Sequence, residues 1–265
     1  TMGGQNLSLQ VHPTTDYIRR AFGMAYTQDE SYYILDAGED ACVYLGLREG
    51  VDPGEMMGAL EEANAGGAPF DAERYVNRIP ARRHDHVLIP AGTVHCSGAN
   101  TMVLEISATP YIFTFKLWDW GRTGLDGRPR PVHLTHGREV IRWDRTTGWV
   151  EKSLVDQATD LDEPCGAARV ERTGLHALES LETRRYTVEP GGCALLDTAG
   201  TVNVLNLVEG EEVLVESPDG AFEPMRVRYA ETFVVPAATG AFAIRNDGRS
   251  TAMLMRAHVR GTEER

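Results

Sequence analysis

Short alternating segments dominate the pattern of hydrophobic and polar positions along this chain. Residues 6–12 alternate between apolar and polar side chains, which predicts a β-strand with Leu9 and Val11 facing a core. From residue 184 onward, short apolar runs recur at even spacing between Gly, Pro and Asp-Gly turn signals. The pattern therefore predicts a mostly β chain built as barrels or sandwiches. Further strands are predicted at 32–36, 41–47 and 87–89.

Three short helices interrupt this β pattern. The first follows a threonine pair and ends at Gly23, a residue type that commonly closes helices. The second begins at Pro53, with Asp52 as its N-cap. A third is predicted from Gly137 to Trp143.

The first predicted strand carries three polar side chains, Ser8, Gln10 and His12, on one face. Polar groups on an otherwise apolar strand need partners or water. This segment alone leaves two interpretations open: a solvent-facing side of an edge strand, or a metal site held by Gln10 and His12 with Ser8 touching substrate. Glu30 stands at the entry to the next strand. Such an acid is usually solvated, but it could also reach a metal held by His12.

A turn of proline, alanine and glycine separates the strand at 87–89 from His95. Proline fixes one backbone dihedral and glycine permits the tight geometry, so His95 is aimed from a defined corner. An imidazole placed in this way is a natural metal ligand. His84 and His86 precede the turn, at the far end of the strand, so metal contact is the less favoured interpretation for them. Cys96 is expected to be a buried small hydrophobic residue.

The same corner recurs in the second half of the chain. The segment DHVLIPAGTVH aligns with ETFVVPAATGA, so that Pro90 corresponds to Pro236. Ala241 then stands at the position of His95, which indicates that the second half has kept the corner and lost the metal ligand.

The Pro-x-Gly-x-x-His form of the first corner resembles the second sequence motif of the cupins, which are small β-barrels that hold a metal. Together with the repeat, this resemblance implies two cupin-like β-barrel halves with a few short helices. Residues 151–183 are polar and weakly patterned, as in a connecting segment. The predicted organisation is a metal-binding cupin domain over 1–150, a linking segment over 151–183, and a degenerate cupin domain without metal ligands over 184–265.

Composition and charge narrow the range of partners. Of the 265 residues, 26 are Lys or Arg and 39 are Asp or Glu, a formal net charge of −13. This balance argues against nucleic acid or an anionic membrane as the main partner. No apolar run approaches the length of a membrane span, and no signal-peptide pattern opens the sequence. The four cysteines contain no Cys-x-x-Cys pair, which favours a reduced, cytoplasmic protein.

Several motifs occur in one order: LSLQVHP, Glu30 before SYYILDA, IPAGTVHCSG, VLEIS, WDWGR and GRPRPVHL. Together they resemble the class I mannose-6-phosphate isomerases, which are zinc-dependent proteins with two cupin-like barrels. The resemblance covers nearly the whole chain. It implies that Gln10, His12, Glu30 and His95 hold zinc and that Ser8 helps to bind the substrate.

The chain also departs from that family. Gln28 stands where the family has a phosphate-binding lysine, two residues before the acidic ligand. Lys116 stands where the family has a catalytic arginine, and lysine lacks the planar fork that grips an oxyanion. An acid that the family carries has no clear match around Tyr111.

The resemblance implies an aldose–ketose isomerase, foremost one that interconverts mannose 6-phosphate and fructose 6-phosphate through a zinc-stabilised enediol. Lys116 would then share the developing negative charge, and Glu105 or a zinc-bound water would move the proton. The departures keep two alternatives open: a zinc-binding cupin that binds or senses sugars without isomerase activity, and an isomerase for a non-phosphorylated sugar. The expected partner is a small sugar or sugar phosphate. Assembly of the chain into a homo-oligomer is left open.

Overall fold

The computed structural model describes residues 1–108, 113–174 and 176–260, and most of its regular structure is β. The contacts divide the chain into two compact units, Thr1–Asp156 and Gln157–Arg265. The mostly β class expected from the alternating pattern is confirmed. The assignment of one cupin domain to each side of a linker at 151–183 stays a prediction.

The first unit combines eight strands with five helices. Its strands are β1 (Leu9–Val11), β2 (Asp29–Ala37), β3 (Cys42–Leu47), β4 (Val76–Pro80), β5 (His86–Ile89), β6 (His95–Ser97), β7 (Thr101–Ala108) and β8 (Phe115–Trp118). Its helices are α1 (Thr15–Phe22), α2 (Pro53–Asn64), α3 (Ala72–Tyr75), α4 (Leu134–Val140) and α5 (Thr147–Ser153).

Two antiparallel sheets form the frame of the first unit. One has five strands in the order β4-β3-β6-β1-β8, and the other has three in the order β5-β2-β7. Leu9 and Val11 were predicted to face a core, and both are fully buried in a hydrophobic cluster. The opposite face of β1 is thereby free to present Gln10 to the interior of the unit.

The N-cap predicted for α2 is present, whereas the bounds of α4 differ from the predicted ones. The side chain of Asp52 accepts a hydrogen bond from the Glu55 amide at 2.8 Å, as an N-cap should. The helix expected from Gly137 to Trp143 was placed wrongly, since α4 begins at Leu134 and ends at Val140. A Cβ on residue 137 would lie 2.4 Å from Leu117 Cδ2, so Gly137 lets α4 pack closely on the Leu117 side chain of β8.

The second unit contains only strands and one short 3-10 turn in its described part. The strands are β9 (Thr159–Leu161), β10 (Ala168–Gly174), β11 (Leu181–Val188), β12 (Cys193–Asp197), β13 (Asn203–Glu209), β14 (Glu212–Glu216), β15 (Met225–Arg228), β16 (Thr232–Val235), β17 (Ala241–Arg245) and β18 (Ala252–Val259). They form sheets ordered β16-β13-β18-β11-β10-β9 and β12-β17-β14-β15. Strands β9 and β10 lie in the weakly patterned stretch, where alternation was too poor to reveal them.

The two corners that align in sequence differ in backbone conformation. Gly92 has a φ of +92°, a region that residues with a Cβ rarely adopt. In the second unit, Ala237–Thr239 form a 3-10 turn after Pro236, and the positive φ moves to Gly240. Alanine is therefore tolerated at position 238. Across the described ranges, no helix has both the length and the apolar character needed to cross a membrane.

Candidate metal centre

Three strands of the first unit bring two histidines and a glutamate together. His12 directly follows β1, Glu30 lies on β2, and His95 begins β6. His95 Nε2 lies 2.7 Å from Glu30 Oε1, and His12 Nε2 lies 3.2 Å from the same oxygen. One potential ligand atom from each residue lies within 4.8 Å of the others. In the part of the chain that the structure describes, no other such cluster of His, Cys, Asp and Glu occurs.

Backbone carbonyls orient both imidazole rings. His12 Nδ1 lies 2.8 Å from the carbonyl oxygen of Phe113, and His95 Nδ1 lies 2.8 Å from that of Thr93. A carbonyl can only accept, so in the neutral ring the proton sits on Nδ1 and the lone pair on Nε2. Both Nε2 lone pairs then face the centre, which is the arrangement seen for metal-bound histidine.

The burial of these groups fits a bound cation. His12, Glu30 and His95 are 1%, 2% and 0% exposed. His12 Nε2 and Glu30 Oε1 are also buried atoms without a hydrogen-bond partner among the described residues. Buried polar atoms are normally satisfied, so two of them directed at one point indicate a missing partner. A divalent metal ion would satisfy both.

Gln10 completes the set of four predicted ligands at the centre. Its Nε2 lies 3.3 Å from His95 Nε2, while its Oε1 accepts a hydrogen bond from the Thr114 hydroxyl at 3.1 Å. A half-turn of the amide exchanges the two atoms and directs Oε1 to the centre. Nε2 would then donate to the Thr114 hydroxyl oxygen, so the residues present can offer two imidazoles, a carboxylate and an amide oxygen.

The electrostatics of the centre favour an ionised Glu30. Burial by itself would raise the pKa of Glu30, but the adjacent His95 and His12 outweigh it and hold the pKa well below its usual range. Burial likewise opposes the charged form of His12, yet the hydrogen bond and charge of Glu30 raise the pKa of His12 above its ordinary value. In the absence of metal, this pair is stabilised by its own opposite charges.

Gln28 is buried beneath the centre and orients Glu30. Its Nε2 donates to Glu30 Oε2 at 3.0 Å, and its Oε1 accepts from the Phe113 amide at 3.1 Å. Both polar atoms of the Gln28 side chain are thus hydrogen-bonded, one to the carboxylate of Glu30 and the other to the backbone.

Glu105 lies on β7, next to the centre, with an exposed side chain. Its Oε1 is 3.5 Å from Gln28 Nε2. The surrounding protein and the negative charge of Glu30 raise the pKa of Glu105 to about 7. A carboxyl group tuned near neutrality can both take and return a proton.

Lys116 and Ser8 are both neighbours of Asp119. Lys116 lies on β8, in register with Gln10. Ser8 donates a hydrogen bond to Asp119 Oδ1 at 2.6 Å, which leaves its oxygen able to accept another. Burial would raise the pKa of Asp119, but hydrogen bonds from Ser8 and Arg122 and the charge of Lys116 lower it. An ionised Asp119 therefore lies between Ser8 and several cations.

Arg145 supports the corner before His95 and was not identified from sequence patterns. This residue is 7% exposed, and its Nη1 donates to the carbonyl oxygens of Pro90 at 2.6 Å and Ala91 at 2.8 Å. The same nitrogen lies 2.5 Å from Thr93 Oγ1. No local motif marks an arginine that is 52 residues away from its partner.

Other candidate residues lie apart from the centre. His84 and His86 are not in the ligand cluster; His86 begins β5, whose other end, Ile89, pairs with Glu30. Cys96 is fully buried, and burial raises the pKa of its thiol, as expected for a structural cysteine. The stretch around Tyr111 falls outside the described residues.

Comparison with known proteins returns relatives that match about half of the chain, although no family model matches. The probable mannose-6-phosphate isomerase GmuF of Bacillus subtilis is 29% identical over 136 residues, which is 51% of this chain and 40% of that protein. The mannose-6-phosphate isomerase ManA of the same organism is 28% identical over 137 residues, 52% of this chain and 41% of that protein. The matches thus span about two fifths of the length of these curated relatives.

The fold extends further than the sequence match. A crystal structure of the mannose 6-phosphate isomerase from Bacillus subtilis has a TM-score of 0.76 to this chain at 18% identity. That likeness covers 96% of this chain and 72% of the other. It shows a shared cupin-type fold.

Proposed function

Because this chain is a relative of the class I mannose-6-phosphate isomerases, we propose that it interconverts mannose 6-phosphate and fructose 6-phosphate. The observation that carries the proposal is the buried group of His12, Glu30 and His95, with Gln10 beside it. These are the residue types that hold the metal in the family that the sequence resembles. The carboxyl group of Glu105 lies 3.5 Å from Gln28, which donates a hydrogen bond to Glu30. The four cysteines are free, which supports a reducing compartment such as the cytoplasm.

Zinc is the proposed metal. Two imidazoles, a carboxylate and an amide oxygen suit zinc and leave space for a further oxygen ligand. When bound, the metal would act as a Lewis acid for the oxygens of the sugar. The donors that would hold it are Nε2 of His12, Nε2 of His95, Oε1 of Glu30 and, after rotation of the amide, Oε1 of Gln10.

Separate residues of the chain would transfer the proton and stabilise the negative charge that develops on the substrate. The isomerisation removes a proton from carbon 2 of the aldose and returns one to carbon 1. The Glu105 carboxyl, with a pKa of about 7, is proposed to carry that proton. Lys116 is proposed to stabilise the negative charge on the sugar oxygens, and Ser8 to accept a hydrogen bond from the substrate.

The test is isomerase activity of the zinc-loaded protein on mannose 6-phosphate, with a chelated sample and unphosphorylated mannose as parallel assays. We expect about one zinc per chain and turnover that chelation abolishes. Glu30→Gln should lose both zinc and turnover, because the amide carries no charge. Glu39→Gln, at an exposed position, is the matched control and should keep both.

Two outcomes would redirect the proposal. Turnover of mannose without turnover of mannose 6-phosphate would assign an isomerase of non-phosphorylated sugars. A full complement of zinc without turnover of either substrate would reject the isomerase and leave a sugar-binding protein.

A further inference from the structure

The second unit contains a cavity of about 780 Å³. This volume is within the range of sites that hold small metabolites. Apolar side chains such as Leu196 form part of its wall, and Arg184, Tyr186, Arg256 and His258 supply polar groups.

Strand pairing places this cavity where the first unit has its metal centre. β13 pairs with β16 and β18 as β2 pairs with β5 and β7. Asn203 takes the position of Glu30, since each pairs with the residue directly before the corner proline. Arg256 takes the position of Glu105, as the fifth residue of the corresponding strand. The strands therefore keep the positions of Glu30 and Glu105 while the residue types at both have changed.

A guanidinium group lies among these altered positions. Arg256 Nη1 donates to the Tyr186 hydroxyl at 3.0 Å, and Nη2 donates to the carbonyl oxygen of Asp197 at 2.8 Å. Asp197 pairs with the strand that follows the corner, as Gln10 does in the first unit. Arg256 Nε donates to the side-chain oxygen of Asn203. The second unit thus carries an organic cation near the position that a metal would take in the first.

The charge of Arg256 has no carboxylate partner in the described part of the chain. The residue is 6% exposed, and its three hydrogen bonds all go to neutral oxygens. A guanidinium has five N–H donors, so two remain for a ligand. A buried charge that is held only by neutral groups is unfavourable, because neither water nor an opposite charge compensates for its desolvation. An anion in the adjoining cavity would provide that compensation.

Arg184, the other cation at the cavity, is already paired with two carboxylates, and the Asp197 carboxylate in the cavity wall accepts a hydrogen bond from the Ala199 amide. Arg184 Nη1 lies 2.7 Å from Glu163 Oε2, and Arg184 Nε lies 2.5 Å from Glu182 Oε1. Burial and the positive charge of Arg256 lower the pKa of His258 to about 4, so its ring is neutral at pH 7. Its Nδ1 is buried and has no partner among the described residues. A neutral imidazole nitrogen of this kind can bond to a hydroxyl group.

We propose that this cavity is a second ligand site, which binds a small polyol bearing a carboxylate or a phosphate group. The anionic group would lie on the two remaining N–H donors of Arg256, and a hydroxyl group would bond to His258. The site is separate from the metal centre in both its residues and its strands.

Hydrogen–deuterium exchange of the full metal-loaded chain tests the proposal. The probes are gluconate as a carboxylated polyol, mannose 6-phosphate as a phosphorylated one, and mannitol as the uncharged control. We expect slower exchange in peptides over 197–203, which adjoin the cavity, with at least one anionic probe and not with mannitol. Because exchange is read by peptide, binding at the metal centre is distinguished from binding in the second unit.

Two variants assign the effect to the cavity. Arg256→Gln should abolish the protection at 197–203, because it removes the cation. Val259→Glu places a negative charge at the cavity wall and should weaken anion binding about tenfold. Val234→Glu makes the same change at an exposed position on β16 away from the cavity and should bind as the unaltered protein does.

The exchange results either support or reject the second ligand site. Protection by gluconate alone or by mannose 6-phosphate alone identifies the anionic group, and either supports the site. The proposal is overturned if neither anion protects 197–203, if mannitol protects equally, or if a folded Arg256→Gln protein still responds. It also fails if Val259→Glu and Val234→Glu bind the anion alike.

Discussion

At the scale of single residues, the candidate metal centre contains groups that orient the proposed ligands as well as the ligands themselves. The carbonyls of Phe113 and Thr93 select the tautomers of His12 and His95, and Gln28 holds one oxygen of Glu30. Such supporting contacts keep the ligand atoms directed at one point before any metal arrives.

Removal of the Gln28 side chain should weaken metal binding. Gln28→Ala frees Glu30 Oε2 and leaves the Phe113 amide without its acceptor, so we expect a loss of zinc affinity of about tenfold to a hundredfold. Competition with a chromophoric chelator measures the affinity. Gln5→Ala, at an exposed position, is the control; equal affinities in both variants would show that Gln28 does not support the centre.

Lys116 should matter for turnover far more than for zinc. In the proposed reaction its charge is used only when negative charge develops on the sugar, so Lys116→Ala should reduce kcat by about a hundredfold or more. Its zinc affinity should stay near that of the unaltered protein. Steady-state kinetics together with zinc titration check this, and unchanged kcat would remove Lys116 from the mechanism.

His258 should make stability depend on pH. Its folded pKa of about 4 lies below the ordinary 6.5, so between these values the unfolded chain binds the extra proton. The contribution of neutral His258 to the free energy of unfolding is therefore complete above pH 6.5 and is lost as pH falls toward 4. Urea unfolding at a series of pH values should show a smaller decline for His258→Gln in this window. The two curves should run parallel above pH 7, and parallel curves throughout would contradict the assignment.

At the scale of elements, the corner between β5 and β6 sets the position of His95. Its backbone is fixed by Pro90, by the positive φ of Gly92, and by hydrogen bonds from the buried Arg145. The alignment of the second corner with the first correctly located Pro236, but the turn after it has a different conformation. At each of the two corners, glycine stands where the backbone φ is positive.

Loss of the Arg145 side chain should loosen this corner. Arg145→Ala leaves the carbonyl groups of Pro90 and Ala91 without their charged donor and should destabilise the first unit by about 2–4 kcal/mol. Arg145→Lys should recover only part, because lysine lacks the planar guanidinium that lies 5.1 Å from the centroid of the Trp149 ring. Arg142→Ala removes an exposed ion pair with Asp144 and should cost under about 1 kcal/mol. Thermal unfolding measures all three, and similar losses for Arg142→Ala and Arg145→Ala would refute the special role of the buried arginine.

At the scale of the whole molecule, the chain is built from two units with separate cores. The described hydrophobic clusters of the first unit lie within residues 9–155, and the cluster of the second lies within 161–254. A metal bound at the centre would therefore stabilise chiefly the unit that supplies its ligands.

Metal removal should separate the responses of the two units. At a free zinc concentration a thousandfold above Kd, binding stabilises the folded unit by about 4 kcal/mol. Chelation should accordingly speed hydrogen exchange in β1, β2 and β6 and leave β11, β13 and β18 nearly unchanged. Glu30→Gln should abolish the difference between zinc-loaded and chelated samples. Equal effects in both units would place metal in the second unit as well.

The sequence by itself determined the β class, the core face of β1, the cap at Asp52, and the chemical types at the metal centre. These are local properties: alternation with period two, capping residues and short motifs are legible because neighbours in sequence are neighbours in space. The sequence also indicated that the second half lacks the corner histidine, because the proline corner recurs with Ala241 in its place.

Only the tertiary structure decided how distant residues meet. The contacts of Gln28 with Glu30 and Phe113, of Arg145 with the corner, and of Arg256 with Asn203 and Tyr186 link strands that are far apart in sequence. The bounds of α4, Leu134–Val140, likewise differ from those that its own residues predicted. Long-range pairing fixes such positions, because a side chain's burial and charge environment come from strands that its local sequence does not specify.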